Sequence, residues 1–371
     1  MKSSLARIIP ERLREAREAR GLTTQALAER IGVTRQAVAQ YEIGQSAPSG
    51  ETMSKIYAEL NQPPIFFTTP REKSRENSGT IFWRSLHRMK KYERDRITRR
   101  LDWLQDVVSY LESFMELPPV HLPAPHYQSG DNGTIEDAAN LVRKQWGLGR
   151  GPIPDLVGLL EANGFVVVRE PTYSEDMDAV SRWQVGRPTV LLGTDKGSAT
   201  RSRWDAAHEL GHLVLHSDVE VDSRAIARLE AEANRFAGAF LLPADSFARE
   251  VTSSSIEAFK PLKMRWKVSI AAMIYRAKDL GILSANQVQY LWRQRAARGW
   301  TRSEPFDAEI PAERPKFLSY IAKQILESEL QSRQDFQDHT LLSFEDIEQL
   351  CGLAPHTLNQ TVVNFPVRVR A

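Results

Sequence analysis

The chain has 371 residues, 42% hydrophobic and 26% charged, with a formal net charge of +2. That length implies more than one core, since single cores seldom grow much beyond about 250 residues, and the charge is too small to argue for a nucleic-acid partner by itself. A single cysteine, Cys351, excludes an intramolecular disulfide and a cysteine-based zinc site. No apolar run approaches the ~20 residues needed to cross a bilayer, and the N-terminus lacks an apolar signal core. Composition therefore predicts a cytoplasmic protein with no membrane partner.

Residues 8–70 read as short helices separated by Gly21, Gly32, Gly44 and Pro48. Within them, Leu27, Ala28, Ile31, Val33 and Val38 are spaced to meet between two helices, Gly32 permits a left-handed turn, and Thr34 caps the second helix. That second helix then presents Arg35, Gln36 and Gln40, residue types that read guanine and adenine edges in the major groove. The block, with its Gln40-Tyr-Glu-Ile-Gly44 and Ala47-Pro48-Ser49 endings, closely resembles the lambda-repressor-like helix-turn-helix family of the Xre/Cro type over residues 8–68. The resemblance implies a double-stranded DNA operator, read by a homodimer on paired half-sites. The family often places Gln at the start of the first motif helix for a phosphate contact; here Thr24 stands there, with Gln25 beside it.

The stretch 84–100 is strongly basic and reads as a solvated helical face, with phosphate contacts as the alternative. Pro118 to Pro125, followed by the polar residues 126–133, has the composition of a linker. Beyond it, helices are predicted from Ile135 to Trp146 and from Ile153 to Asn163. Strands are predicted over Phe165–Arg169 and Thr189–Leu192. A helix carrying His208-Glu209-Leu210-Gly211-His212 follows, then another from about Ser223 to Phe240. The expected fold is mainly α with a small β-sheet, an α+β arrangement. The expected domains are 1–70 (helix-turn-helix), 71–133 (basic connector and linker), 134–283 (the α+β block that carries the paired histidines) and 284–371 (helical, of unassigned role).

Two histidines four apart lie on one helical face, close enough to hold one zinc ion, with Glu209 beside them as general base for a water. His216, four residues further on, lies too far along an unbroken helix to reach the same ion, and reads as a residue that supports the site from behind. The third ligand must come from the next helix. There Glu232 lies on the apolar stripe Leu229, Ala233, Phe236 and Phe240, where a carboxylate is costly unless paired or bound to metal. Glu232 is therefore the predicted third ligand and Glu230 the runner-up. Asp205 is either an orienting partner or a surface acid. Tyr275, Arg276 and His216 are the candidates for stabilising an oxyanion.

Residues 130–283 resemble the ImmA/IrrE family of zinc-dependent metallopeptidases. The resemblance rests on Trp146-Gly-Leu-Gly149, Gly151-Pro-Ile153, Arg201-Ser-Arg-Trp204, His208 to His216, Glu232-Ala-Asn-Arg-Phe-Ala237, Leu241-Leu-Pro243 and Met264 to Ser269 with Tyr275-Arg276. It implies Zn2+ on His208, His212 and Glu232, with Glu209 catalytic. It also implies cleavage of a regulatory protein, a co-encoded regulator or toxin, or the chain itself near 118–133, so as to switch transcription. The alternative is a non-enzymatic repressor or antitoxin whose zinc domain binds a partner or senses a signal.

Overall fold

The computed structural model describes residues 8–71, 78–82, 89–174, 177–195, 197–217 and 225–359. The chain divides into two compact units, one made of Met1–Lys73, Lys91–Glu116 and Leu318–Ala371, the other of Ser74–Lys90 and Leu117–Phe317.

The first unit is helical. Proline opens α1 (Pro10–Ala19), where a missing N–H costs nothing. The side chains of Thr23, Thr34 and Ser49 each accept a backbone N–H and so start α2 (Thr24–Ile31), α3 (Arg35–Glu42) and α4 (Gly50–Leu60). The short α5 (Pro64–Thr68) closes the block. Leu27, Ala28, Ile31 and Val38 are buried as expected. Gly32 ends α2 at φ 73°, a left-handed conformation that favours glycine. Added to this block are a long helix, α6 (Lys91–Glu112), and three C-terminal helices numbered after those of the second unit.

Four strands make the sheet of the second unit, in the order β1 (Ser78–Phe82), β3 (Ala179–Gln184), β4 (Arg187–Gly193), β2 (Val166–Glu170). β2 runs parallel to β4, while β3 is antiparallel to both β4 and β1. Val185 and Gly186, both at positive φ, form a two-residue hairpin between β3 and β4. Helices α7 (Asn132–Gln145), α8 (Leu156–Ala162), α9 (Ala199–Leu215) and α10 (Ile226–Leu241) pack with this sheet around a common core that includes Ile135, Phe165, Leu210, Phe236 and Phe240. Helices α11 (Ala244–Glu250), α12 (Phe259–Trp266), α13 (Ile270–Asp279) and α14 (Ala285–Ala297) complete the unit. The C-terminal helices of the first unit are α15 (Phe317–Glu327), α16 (Arg333–Thr340) and α17 (Phe344–Cys351).

Three expectations from sequence give way here. Residues 118–130 are not a free linker. Arg187 donates to the Pro118 carbonyl at 2.8 Å, His121 N–H to Asn163 at 3.1 Å, and the Trp146 indole to the His121 carbonyl at 2.6 Å. Gly164 is needed where this segment crosses, because a Cβ there would fall 2.5 Å from the Pro119 carbonyl oxygen. The proline-rich composition stiffens a strap that is fastened along its length.

The basic stretch is not a solvated face either; its residues 84–88 lie outside the described residues. On α6, Arg96 and Arg100 are buried, and Arg99 pairs with Glu18 at 2.9 Å. Arg100 and Arg20 both bond Asp346 of α17, which also accepts from Ser343 at 2.8 Å. Buried guanidinium groups require such partners. That need also explains why the C-terminal region is not one block: residues 318–371 belong with the helix-turn-helix unit, whereas α14 packs on α13.

Candidate functional site

Ser198 caps α9, and helix-favouring Ala and Leu carry it unbroken to Leu215, with His216 as its C-cap. The i, i+4 spacing stacks His208 and His212, and their Nε2 atoms lie 3.0 Å apart. Helix α10 lies against α9 because both are small at the contact: Gly211 faces Ala233 and the Phe236 Cβ, and a Cβ on Gly211 would approach them to 3.2 Å. This closeness brings Glu230 to the histidines, with Oε1 3.1 Å from His212 Nε2 and Oε2 3.3 Å from His208 Nε2. His208, His212 and Glu230 are the metal-competent cluster among the described residues. A tetrahedral ion with bonds of about 2.0–2.2 Å sets its donor atoms about 3.3 Å apart, so two imidazoles and a carboxylate at these separations fit zinc. Burial alone would raise the Glu230 pKa, but the two imidazoles outweigh it and bring it down to about 2.

The expected third ligand, Glu232, is placed elsewhere. It is buried and accepts from Ser129 Oγ and Gly130 N–H, each at 2.8 Å, from Tyr127 Oη, and from His216 Nε2 at 3.1 Å. Residues two apart on a helix point about 200° away from each other, so only one of the pair can meet the histidines. A core-facing carboxylate needs partners, and those of Glu232 are protein donors from the strap at 127–130. The histidines face the more open side, where Glu230 is partly exposed.

Both ligand-type imidazoles are held through Nδ1. His208 Nδ1 lies 3.2 Å from Asn234 Oδ1, while the Asn234 amide donates to the Glu230 carbonyl at 2.8 Å and fixes the amide's orientation. His208 must then donate from Nδ1, which leaves its Nε2 lone pair for a metal. His212 Nδ1 meets His216 Nδ1 at 3.0 Å, so His216 stands behind His212. Burial and the neighbouring His212 lower the His216 pKa to about 4 despite Glu232, so the ring is neutral at pH 7. Asn234, Ser129 and Tyr127 were not anticipated. The i, i+4 spacing of Glu230 and Asn234 is the sequence signal that could have found both.

Glu209 is buried and accepts from Ser181 Oγ of β3 at 2.6 Å. A cleft of about 690 Å³ adjoins the cluster, lined by Glu230, Asn234, Trp204, Asp205, Asp178 and Tyr275, among others. Asp205 is a buried residue at this cleft rather than a surface acid. Of the oxyanion candidates, Tyr275 is exposed at the cleft. Arg276 is committed to Glu136, at 2.5 and 2.8 Å, and to the Leu242 carbonyl.

In the helical unit, Thr34, Arg35 and Gln36 are exposed at the start of α3, Gln40 is half-buried one turn on, and Gln25 is exposed on α2, bonded to Glu29 at 2.6 Å. Arg17 of α1 grips Glu42 at the other end of α3, so the exposed face is carried on a fixed helix.

Residues 13–67 match the helix-turn-helix family, and residues 160–278 match Peptidase_M78, the IrrE N-terminal-like domain. The chain is similar to the SPbeta prophage-derived uncharacterized HTH-type transcriptional regulator YonR of Bacillus subtilis (strain 168), with 39% identity over 46 residues. That match spans 12% of this chain and 43% of YonR. A solved Mycobacterium tuberculosis transcriptional regulator is 20% identical, with 39% of this chain and 46% of that one covered and a TM-score of 0.29. No helix among the described residues is long and apolar enough to cross a membrane. The chain thus joins an N-terminal helix-turn-helix domain of the Xre-like type to an IrrE-like domain of the Peptidase_M78 family.

Proposed function

We propose that this chain is a DNA-binding transcriptional regulator whose IrrE-like domain is a zinc-dependent endopeptidase acting on a regulatory protein. The observation that carries this reading is the convergence of His208, His212 and Glu230 beside an open cleft, with Glu209 on the same helix. When bound, zinc supplies Lewis-acid chemistry, polarising a carbonyl and lowering the pKa of a water. His208 and His212 would hold it through Nε2, kept in that tautomer by Asn234 and His216. Glu209, its carboxylate fixed by Ser181, takes the proton of the attacking water and delivers it to the leaving amine. Tyr275, exposed at the cleft, is the candidate to donate to the developing oxyanion.

In the same reading, Arg35, Gln36 and Gln40 contact base edges of a double-stranded operator, with Thr34 and Gln25 positioned for phosphates, and a homodimer spans paired half-sites. The docked strap at 118–130 is a poor site for self-cleavage, which favours a separate regulator as substrate. Incubation of zinc-loaded protein with candidate repressors tests the proposal. Cleavage is expected, and Glu209→Gln should abolish it while leaving operator binding intact. Absence of cleavage, or cleavage undiminished by that substitution, would instead leave a regulator acting by occupancy alone.

A further inference from the structure

The edge strand β1 comes from far upstream of the domain it completes. Residues 160–278, which match the peptidase family, contain β2, β3 and β4. β1 lies at residues 78–82, in a stretch, Ser74–Lys90, that belongs to the sheet-bearing unit although the segments on either side of it belong to the helical unit. The chain thus makes an excursion of one strand. Its pairing is short and irregular: five residues, Gly79 among them, with a register shift between Ser78 and Ile81. A glycine inside a strand and an interrupted register both weaken a ladder.

Where β1 pairs is more informative. Its partner β3 carries Ser181, whose hydroxyl holds Glu209, and Phe82 is the residue opposite Ser181. Because the pair is antiparallel, β1 advances along β3 from Gln184 toward its N-terminal end, beyond which Asp178 lines the cleft beside Glu230. Without β1, the edge of β3 would offer a row of backbone donors and acceptors leading to the cluster, the arrangement by which a sheet captures an extended peptide.

We propose that the edge of β3 is the binding site for an extended polypeptide, and that β1 is this chain's own occupant of it, displaced when a substrate strand pairs there. The inference rests on the peptidase reading for its purpose, but on strand pairing alone for its test. A tethered occupant competes at an effective concentration in the millimolar range, so the resting protein admits only a partner that outbids β1 or arrives when β1 is pulled away.

The experiment uses the full chain with Glu209→Gln, so that no probe is consumed, and a fluorescein-labelled peptide of residues 76–86 read by anisotropy. Ser78 and Gln184 are Cα partners across the pair. Replacing both with cysteine allows β1 to be locked by oxidation and released by reduction in one preparation. The peptide is expected to bind the reduced protein at least about tenfold more tightly than the oxidised one. A second variant, Ile81→Pro, removes a backbone donor from the strand and should bind at least as well as the reduced protein. Equal affinity in the two redox states, or no binding in either state and none to Ile81→Pro, overturns the proposal and makes β1 a permanent edge cover. Neither result depends on turnover. Binding as expected here, beside a wild-type chain that cleaves no candidate repressor, would refute the peptidase reading and leave the binding edge standing.

Discussion

His216 Nδ1 lies 3.0 Å from His212 Nδ1, and only one proton can sit between them. His216 Nε2 faces Glu232 at 3.1 Å, so the proton on that nitrogen is directed to the carboxylate, and His216 Nδ1 is left to accept from His212. A row of three side chains thereby fixes the tautomer of one candidate ligand. Replacing Glu230 with Ala should abolish stoichiometric zinc binding, because one of three donors is lost. Replacing Glu232 with Gln or His216 with Ala should leave one zinc per chain, bound about 10–100-fold more weakly. Competition against a chromophoric chelator distinguishes these outcomes. Retained tight binding in Glu230→Ala would return Glu232 to the donor set.

Gly211 sets the spacing of α9 and α10. A methyl group there meets Ala233 and Phe236 at 3.2 Å, tighter than ordinary contact, so α10 must give way by tenths of an ångström. Gly211→Ala should therefore weaken zinc binding while far-UV circular dichroism stays unchanged. Gly211→Val, with more volume to place, should destabilise the unit by about 1–3 kcal/mol. Unaltered zinc affinity in Gly211→Ala would show that the helix pair adjusts without moving Glu230.

Acid should weaken the helical unit through Asp346. Burial alone would raise the pKa of Asp346, but Arg100 and Arg20 outweigh it and hold the carboxyl well below the usual range. A depressed folded-state pKa contributes stability that is fully present above the unfolded value of about 4 and is lost progressively as pH falls from there through the folded-state value. Asp346→Asn should remove most of this dependence between about pH 4 and 2, and should cost about 3 kcal/mol or more at neutral pH, because it takes the carboxylate from the buried Arg100 and from Arg20. Urea titrations of both proteins across that range check the sign and the size.

Exposed Arg35 and Gln36 should each contribute about 1–3 kcal/mol to operator affinity, with specificity relaxed at the contacted base pair. Gln25→Ala should weaken binding to all sequences alike. Thr34→Ala should cost about 1 kcal/mol of stability through the lost cap, in addition to any phosphate contact. Anisotropy titrations on an operator selected from random DNA, repeated at several salt concentrations, separate base from phosphate contributions.

What sequence revealed of this chain was its local and periodic part. The cap at Thr34, the turn at Gly32 and the stacked histidines depend on residues within one or two turns of each other, and such spacings are visible in a string of letters. Strands β2 and β4 announced themselves by β-branched runs. β3 did not, because Ala-Val-Ser-Arg-Trp-Gln alternates without a clear apolar face and its hairpin uses Val185 in place of the usual Asn or Asp. Glu230 and Glu232 are equally acidic and two residues apart. Choosing between them required knowing that Tyr127, Ser129 and Gly130 approach from a hundred residues upstream. The same holds for Asp346, whose arginines stand 246 and 326 residues away.

The three donor atoms of the metal cluster are shared between two helices, two on α9 and one on α10. Such a set exists only while the helices are docked, so whatever binds there binds the assembled pair and not the open chain. Occupancy and cohesion are thermodynamically linked: at a free zinc concentration a hundredfold above Kd, the assembled state gains about 2.7 kcal/mol. Were zinc bound as proposed, its supply would control how long the domain survives thermal opening, independently of any catalysis.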